Sequence, residues 1–374
     1  MRRRCIAILG ATGSIGREVS RWLGAAGYRL RLGARQPAAL QALAQRVNAD
    51  AHVVDIYQQD ALDAFSQGCQ LVVNCAGPSY RVLDRVARSA AQADAHYIDV
   101  SGDGPVWHLL QQNPVSVRGW TAVLSAGMLP GLANLIPDWL GVMPEDAIIV
   151  YSGGRESVRG AAAGDLVLSV NEQYGTVKAN GYWYGEAGTF WEKEGKRVRG
   201  QPAETRDDVA HFPGEVTLLP FLSSDAERLA TRHQLRQLRW YNVFSGRFLR
   251  ETLTGLRGWV DSVDRLSKAA AQVEQASQLD LLGYSPYYRL VFDLVPRHKP
   301  RRRAVISTDS SAALTAAVTV STVNALLRGD ITSGVHFADD VLLSTQTFND
   351  VVRLHPGTQI RQYLPDERFE EGTL

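Results

Sequence analysis

Cysteine is scarce in this chain of 374 residues, which has only three, at positions 5, 69 and 75. Three cysteines cannot all pair, and none lies in a Cys-x-x-Cys motif, so we expect buried, reduced thiols in a reducing compartment. The eight histidines form no tight cluster with cysteines or carboxylates at metal-ligand spacing. No catalytic metal is therefore expected.

Excess charge and long apolar runs are also missing. The 40 Lys and Arg residues against 39 Asp and Glu residues leave a formal net charge of +1, which does not favour nucleic acid or an acidic membrane as a partner. No stretch of about 18 uncharged apolar residues is available to span a bilayer. The apolar run after the first arginines stops at Gly10, short of the roughly 7–15 residues of a secretory signal. We therefore expect a cytoplasmic protein.

The pattern of the first 125 residues predicts a doubly wound parallel sheet, because short apolar runs alternate with segments of helical periodicity. Six strands are predicted, at 5–9, 28–32, 53–54, 71–75, 97–100 and 121–124, with helices at 14–26, around 40–47 and at 82–93. Six strands are the number expected of two mononucleotide-binding halves. The predicted fold class is α/β, with an N-terminal Rossmann domain over residues 1–130.

The pattern changes after Pro130-Gly131 and predicts a second domain of α+β type over residues 131–330. A helix is expected at 133–140, followed by a strand at 147–151 that the glycines at 153–154 should end. The aromatic and charged stretch 182–199 predicts a hairpin. Residues 225–280 are rich in arginine and mostly of helical pattern, and a helix of small residues is expected at 311–327.

A glycine-rich turn lies between the first predicted strand and the first predicted helix, where residues 10–16 read Gly-Ala-Thr-Gly-Ser-Ile-Gly. Such a turn allows backbone N–H groups to approach a pyrophosphate closely, and the helix N-terminus stabilises the negative charge. The glycine spacing alone is weak evidence, but the flanking strand and helix are the context that a dinucleotide site requires. The predicted cofactor contacts in this turn are Gly10, Thr12, Gly13, Ser14, Ile15 and Gly16.

The residue after the second strand indicates which nucleotide binds. An enzyme that uses NAD has Asp or Glu there to bind the ribose 2′-hydroxyl, whereas this chain has Arg35. A guanidinium pairs with a 2′-phosphate that a carboxylate would repel, so NADP is the expected cofactor. Asp55, after the third strand, is placed either to bind the adenine amino group or to cap the next turn.

Polar and small residues follow the fourth and fifth strands. Asn74, Ala76 and Gly77 close the fourth strand, at the edge that lies beside the nicotinamide ribose in this fold. Ser101 and Asp103 follow the fifth strand, and we expect Ser101 to contact the cofactor. Asp103 is a candidate catalytic residue, with a turn-forming role as the alternative.

Five motifs make this sequence resemble the saccharopine dehydrogenase-like reductases. They are the glycine-rich turn at 10–16, Leu-Gly-Ala-Arg at 32–35, Asn-Cys-Ala-Gly-Pro at 74–78 followed by Tyr80, His-Tyr-Ile-Asp-Val-Ser-Gly-Asp at 96–103, and Ala-Gly-Met-Leu-Pro-Gly at 126–131. The resemblance is good over about the first 135 residues, loose over the last 65 and weak between 150 and 300, where a substrate would bind.

The resemblance implies a Rossmann domain, an inserted catalytic domain with a mixed sheet, and a C-terminal segment, residues 331–374, that returns to the first domain. It also implies hydride transfer to or from a carbon atom bonded to nitrogen. The family often has glutamate where this chain has Asp103, so the carboxylate is kept but shortened.

One motif suggests a different enzyme class. Tyr174 and Lys178 match the Tyr-x-x-x-Lys pair of short-chain dehydrogenases, in which lysine lowers the tyrosine pKa for proton transfer. Against this interpretation, all the Rossmann strands are predicted before residue 126, and nearby glycines weaken a helix. With Tyr174 included, the candidate proton donors are Asp103, Tyr80 and Tyr174, in falling order of preference.

The leading hypothesis is an NADPH-dependent reductase of an imine, either formed from a carbonyl compound and an amine or present in a ring such as a thiazoline. Alternatives are a reductase of an activated C=C bond in a carrier-bound chain, a short-chain-type carbonyl reductase and a non-catalytic NADP-binding sensor. An intact second domain of about 200 residues argues against the sensor, which needs no substrate pocket. The expected partners are a small molecule, free or delivered by a carrier protein, and a second copy of the chain in a homodimer.

Overall fold

The computed structural model describes residues 5–170, 183–200, 203–256, 259 and 263–363, whose strands form two sheets. The first sheet contains seven strands, β1 (Cys5–Leu9), β2 (Leu30–Ala34), β3 (Asp50–Val53), β4 (Cys69–Asn74), β5 (His96–Asp99), β6 (Thr121–Leu124) and β16 (Gly334–Phe337). All pairs in it are parallel, in the order β16-β6-β5-β4-β1-β2-β3. The chain changes direction across the sheet between β1 and β4, the point at which doubly wound sheets bind ligands.

The helices that flank this sheet follow its strands in alternation. They are α1 (Ser14–Ala25), α2 (Pro37–Val47), α3 (Gln59–Ser66), α4 (Ser79–Val82), α5 (Arg85–Gln92) and α6 (Gly104–Gln112). The residues of β1 are all buried, as expected of a central parallel strand covered on both faces. The six strands predicted for this region are present with small shifts of their ends, and the α/β fold class is confirmed.

The second sheet is mixed and contains ten strands within the described residues. They are β7 (Ala147–Arg155), β8 (Gly185–Ala187), β9 (Thr189–Glu192), β10 (Lys196–Arg199), β11 (Glu204–Arg206), β12 (Val216–Ser223), β13 (Gln237–Phe244), β14 (Tyr287–Val295), β15 (Arg302–Thr308) and β17 (Gln359–Tyr363). Only β13 and β7 pair in parallel, and the other pairs are antiparallel. The pair β9–β10 is a hairpin, which confirms the prediction for that stretch.

Eight further helices accompany the second half of the described chain. They are α7 (Leu132–Leu140), α8 (Ala161–Ser169), α9 (Ser224–Arg232), α10 (Arg247–Gly255), α11 (Val263–Asp280), α12 (Ser311–Arg328), α13 (Ala338–Val341) and α14 (Ser344–Leu354). A single apolar cluster includes Ile6 and Ile8 from the first sheet, Leu290 and Phe292 from the second, and Ile136 from α7. The two sheets therefore share one core, and the cleft between them is fixed by packing rather than by a linker.

The structure corrects one prediction for the second domain. Gly153 and Gly154 do not end β7, which continues to Arg155. A Cβ atom on Gly153 would lie 1.9 Å from the carbonyl oxygen of Val243, so glycine is required there by the close approach of the neighbouring strand. The region 225–280 is mostly helical, as predicted, although the strand β13 lies between α9 and α10.

The C-terminal part of the chain contributes to both sheets. Residues Gly334–Phe337 pair with β6 in the first sheet, whereas Gln359–Tyr363 pair with β15 in the second. The helix α12 also packs along α1 of the first layer, although it precedes residue 331. The predicted return of residues 331–374 to the first domain is thus divided between the two sheets in the described part. Among all the residues that the structure describes, no helix is long and apolar enough to cross a membrane.

Candidate functional site

The glycine-rich turn connects β1 to α1 in a conformation that needs glycine at two positions. Gly10 has φ +69°, and a Cβ atom there would lie 2.7 Å from the backbone nitrogen of Ala76. A Cβ atom on Gly16 would lie 2.3 Å from the carbonyl oxygen of Gly10, so the helix can approach the strand only with glycine. Gly13 makes no such close contact and is exposed, as is Ser14. Packing therefore does not require glycine at position 13, and the Gly13 backbone is accessible to a ligand.

The N-terminus of α1 presents unsatisfied backbone donors at this turn. No side chain caps the helix, and its first turn has no acidic residue. The first N–H groups of a helix have no acceptor within it, so those of Ser14 and Ile15 remain available to a phosphate. Thr12 lies half-buried beside them. This arrangement fits the pyrophosphate of a dinucleotide.

The end of β2 fits a phosphorylated ribose. Arg35 follows the last residue of β2 directly, is exposed, and forms no ion pair with any described residue. Its guanidinium is therefore available to a 2′-phosphate. Asp55 accepts a hydrogen bond from the Tyr57 N–H at 3.0 Å, so one of its oxygens shapes the turn after β3. This hydrogen bond supports the turn-forming role of Asp55, while its contact with the adenine amino group stays a prediction.

A buried carboxylate organises the ends of β4 and β5. Asp99 accepts hydrogen bonds from the Tyr97 hydroxyl, from Asn74 Nδ2 at 3.1 Å, and from the N–H groups of Ser101 and Gly102 at 2.9 and 2.8 Å. Asp99 is only 3% exposed, so its carboxylate serves the protein interior rather than the crevice. Burial raises its pKa while these hydrogen bonds act to lower it. We conclude that Asp99 positions the two loops that surround the site.

Asn74 links the same network to the loop after β4. Its side-chain oxygen accepts a hydrogen bond from the Ala76 N–H at 3.1 Å, while its amide nitrogen donates to Asp99. Both ends of the Asn74 side chain are therefore used within the protein, and the residue orients the loop. Gly77 is exposed, and a Cβ atom on it would approach Ala161 of α8 to 3.1 Å. This loop is the point where the first domain meets the second.

A cavity of about 260 Å³ opens beside these loops, between the carboxyl ends of the parallel strands and the second sheet. Three carboxylates line it, from Asp103, Asp165 and Asp225. Of the described residues in its wall, none is Lys, Arg or His. The cavity therefore favours a cationic or neutral ligand and disfavours an anion.

Asp103 is the least compensated of the three carboxylates. It is the N-cap residue of α6, but its side chain makes no capping hydrogen bond. Its Oδ1 atom is buried with no hydrogen-bond partner among the described residues. Burial raises the pKa of Asp103 well above the ordinary value, and the neighbouring charges of Asp99, Asp225 and Asp165 raise it further. Asp103 therefore holds its proton more tightly than an ordinary aspartate does, and its protonated form has an O–H to donate.

The other two carboxylates have different surroundings. Asp225 accepts hydrogen bonds from Asn134 Nδ2 and Arg228 Nη2, both at 2.9 Å, so its charge is partly compensated although burial raises its pKa. Burial raises the pKa of Asp165 to about 7, yet its side chain is still exposed. Because water solvates an exposed carboxylate, Asp165 ionises more readily than Asp103. Of the three carboxyl groups, Asp103 therefore holds its proton most tightly.

Aromatic side chains form much of the remaining wall. Tyr80 and Tyr184 meet edge to face, with ring centroids 6.3 Å apart. Burial raises the pKa of Tyr80, and the charge of Asp165 adds to the rise, so its hydroxyl stays protonated. Trp240 and Asn242 reach the cavity from alternate positions of β13. These groups complete the described wall of the cavity beside Asp103.

The predicted site residues divide into three groups. Asp103, Tyr80 and Ser101 line the same cavity, and the predicted nucleotide contacts surround the turn after β1 and the ends of β2 to β5. Tyr174 lies outside the described residues. Asp165, Asp225, Tyr184 and Trp240 were not predicted. An aspartate in the first turn of a helix, as at 225, usually serves the helix dipole, so its sequence position carried no functional signal.

The N-terminal domain matches a known family. The sequence profile of the saccharopine dehydrogenase NADP binding domain matches residues 6–120. This match supports NADP as the cofactor of the N-terminal domain, as predicted. This assignment agrees with the uncapped turn at α1 and with Arg35. No curated protein sequence matches the chain significantly.

The saccharopine dehydrogenase-like fold extends through the whole chain. The structure of saccharopine dehydrogenase (L-Glu forming) from Saccharomyces cerevisiae is similar with a TM-score of 0.66 and 12% identity, over 96% of this chain and 99% of that protein. At this identity the similarity shows the fold alone, so the substrate has to be inferred from the cavity.

Two other solved structures are similar to about a third of this chain. They are a putative short-chain oxidoreductase from Thermus thermophilus (TM-score 0.28, 20% identity, 32% of this chain and 77% of that one) and a short-chain dehydrogenase from Sphingobium yanoikuyae in complex with NADPH (TM-score 0.29, 17% identity, 32% and 70%).

Proposed function

We propose that this protein reduces the C=N bond of a small imine with NADPH, the imine being either part of a ring or formed from a carbonyl compound and an amine. The observation that carries the proposal is the cavity in which Asp103, Asp165 and Asp225 converge without a basic residue among the described wall. An imine becomes cationic when it is protonated, and it is the iminium that accepts hydride readily. A cluster of carboxylates stabilises such a cation.

The overall reaction converts imine, NADPH and a proton to amine and NADP⁺. Bound NADPH supplies the hydride that forms the new C–H bond, while the electron pair of the C=N π bond moves to nitrogen. Asp103 is placed to supply the required proton, since its raised pKa favours the protonated acid. Once Asp103 has protonated the nitrogen, its carboxylate and those of Asp165 and Asp225 face the iminium charge. The amine product forms with its nitrogen beside the same carboxylates and then dissociates.

The same charge pattern argues against the other candidate reactions. Reduction of an activated C=C bond or of a simple carbonyl develops negative charge on oxygen, which the carboxylates of Asp165 and Asp225 would destabilise when ionised. Reductive amination of a keto acid would require a cation for the substrate carboxylate, and the described wall offers none. A non-catalytic sensor does not require a desolvated acid such as Asp103 at the ends of the parallel strands, where the cofactor is expected. The cavity therefore favours an imine whose reacting end carries no carboxylate.

The test is NADPH oxidation, followed by the nicotinamide absorbance band, with three kinds of substrate at equal concentration. We expect turnover with 2-methyl-1-pyrroline and little with pyruvate plus methylamine or with 2-cyclohexenone. Product analysis should find 2-methylpyrrolidine in one-to-one ratio with NADP⁺. Faster oxidation with the enone or with the keto acid and amine would refute the proposal and select the corresponding alternative.

A further inference from the structure

A second concavity continues from the acidic cavity along the cleft between the domains. It has a volume of about 800 Å³ and shares Ser224 and Asp225 with that cavity. Three of the chain's eight tryptophans line it, Trp107, Trp183 and Trp191. We call this concavity, with Phe337 as its fourth aromatic residue, the tryptophan groove.

Two helices make the groove and the cavity continuous. On α6, Trp107 lies one turn beyond Asp103, and the Trp107 N–H donates to the Asp103 carbonyl oxygen at 3.0 Å. Asp103 lines the acidic cavity and Trp107 lines the tryptophan groove, so the start of α6 borders both spaces. On α9, Asp225 lines both spaces and Arg228 lines the groove. A ligand whose nitrogen lies at Asp103 therefore has its remaining atoms directed into the groove.

The aromatic side chains offer flat surfaces that are already held in place. The rings of Trp107 and Phe337 stack with centroids 6.3 Å apart and an interplanar angle of 21°. The Trp183 ring is covered on one side by the guanidinium of Arg197, 3.7 Å from its centroid, and Arg197 is fixed by Glu227 at 2.7 Å. Both tryptophans keep part of their surface accessible. Preorganised aromatic surfaces of this kind bind a flat apolar group at little entropic cost.

The charged residues of the groove are already paired. Arg228 binds Asp225 at 2.9 Å and Asp339 at 2.6 Å, and Arg232 binds Asp339 and Asp340, both at 2.8 Å. The charge of each guanidinium is therefore balanced within the protein, which disfavours a phosphate or carboxylate of a ligand. The groove selects an uncharged group, which also disfavours an anionic carrier arm.

We infer that the substrate of this enzyme has two parts, an imine nitrogen that lies in the acidic cavity and an uncharged aromatic group that lies in the tryptophan groove. The cavity of about 260 Å³ has room for little more than the reacting end, whereas ligand sites for larger molecules occupy roughly 300–1,000 Å³. The inference rests on the proposed imine reduction, and it names the class of substrate as an aryl-substituted cyclic imine.

A pair of amines tests the groove independently of turnover, because an amine and NADPH cannot react with each other. The dissociation constants of 2-phenylpyrrolidine and 2-methylpyrrolidine are measured by isothermal titration to the NADPH-bound protein. Burial of a phenyl ring predicts tighter binding of the phenyl compound, by about tenfold or more. The Trp107→Leu and Trp183→Leu variants should each reduce this ratio, to within about threefold, with thermal unfolding as the check that each variant is folded. Trp259→Leu is the matched control, because Trp259 lies outside the groove and should leave the ratio unchanged.

Equal affinity for the two amines in the parent protein would overturn the inference, and so would a ratio that neither groove variant changes. A different result would refute the proposed function alone. In that case the phenyl amine binds more tightly than the methyl amine, but neither 2-phenyl-1-pyrroline nor 2-methyl-1-pyrroline causes NADPH oxidation. A higher kcat/KM for the phenyl imine than for the methyl imine, lowered in both groove variants, would support both together.

Discussion

Replacement of Asp103 by asparagine is the most direct test of the site. Asparagine has the same shape and keeps a hydrogen-bond donor toward the cavity, but it cannot release a proton. The Asp103 side chain makes no capping hydrogen bond, so the change removes no helix cap. The nucleotide turn lies on other strands, and NADPH binding should stay within about twofold of the parent (about 0.4 kcal/mol).

The expected loss in turnover follows from the role of a general acid. Such groups contribute about 10²–10⁴-fold, so kcat for an imine should fall by about 10²-fold, or about 2.7 kcal/mol of transition-state stabilisation. In the parent, kcat should decline as pH rises through the raised pKa of Asp103, because only the protonated acid donates. This decline should disappear in Asp103→Asn. The assay is NADPH oxidation with 2-methyl-1-pyrroline across a pH range of about 6–9, which brackets neutral pH.

The same variant should change how stability depends on pH. The folded-state pKa of Asp103 is raised above its ordinary value of 3.8, so the folded protein binds this proton more tightly than the unfolded chain does. Stability is therefore lost as pH rises from about 4 through the raised value, and asparagine removes that loss. Asp103→Asn should raise the melting temperature more at about pH 8 than at about pH 4, relative to the parent. Turnover within twofold of the parent, with the pH profile unchanged, would refute the assignment of Asp103 as the acid.

Three further predictions concern the cofactor turn and the buried network. Arg35→Ala should weaken NADPH binding by about 1.5–3 kcal/mol and NADH binding far less, as measured by fluorescence titration, since a charge-assisted hydrogen bond to the 2′-phosphate is lost; an unchanged preference for NADPH would contradict the role of Arg35. Gly13→Val should abolish nucleotide binding while circular dichroism and melting temperature stay near those of the parent, because a Cβ atom at Gly13 approaches only the Gly10 oxygen, at 3.2 Å; unaltered titration with NADPH would show that the turn is only structural. Asp99→Asn should lower the free energy of unfolding in urea by about 1–3 kcal/mol. The carboxylate accepts hydrogen bonds from Asn74 and Tyr97, and the amide NH₂ of asparagine cannot accept them. A stability equal to the parent's would show that the network does not hold the loops.

The first domain was predictable from sequence because its signals are local. A parallel strand buried on both faces is a short apolar run, and a dinucleotide turn needs glycine wherever two backbones touch. Gly10 and Gly16 carry this constraint, and both appear in the sequence at the expected distance from β1. The residue after β2 is similarly readable, since its charge alone distinguishes a 2′-phosphate from a 2′-hydroxyl.

The second domain shows where local signals fail. Gly153 and Gly154 usually indicate a chain break, yet here they let β7 lie against two neighbouring strands that are distant in sequence. The strand β13 carries Arg239 on an exposed face between buried positions, and it stands among helices rich in arginine. Neither feature can be interpreted without knowing which strands are neighbours.

The residues of the N-terminal third were enough to specify the fold class and the cofactor, because glycine contacts, apolar strand patterns and the charge of Arg35 act over short distances along the chain. The acidic cavity required the folded protein. Its three carboxylates come from the start of α6 (Asp103), from α8 (Asp165) and from α9 (Asp225). The sequence of each helix does not show that these helices meet at one cavity. The pKa of Asp103 depends on burial and on the charges of Asp165 and Asp225, distant in sequence, which come close only after the two sheets have packed into one core.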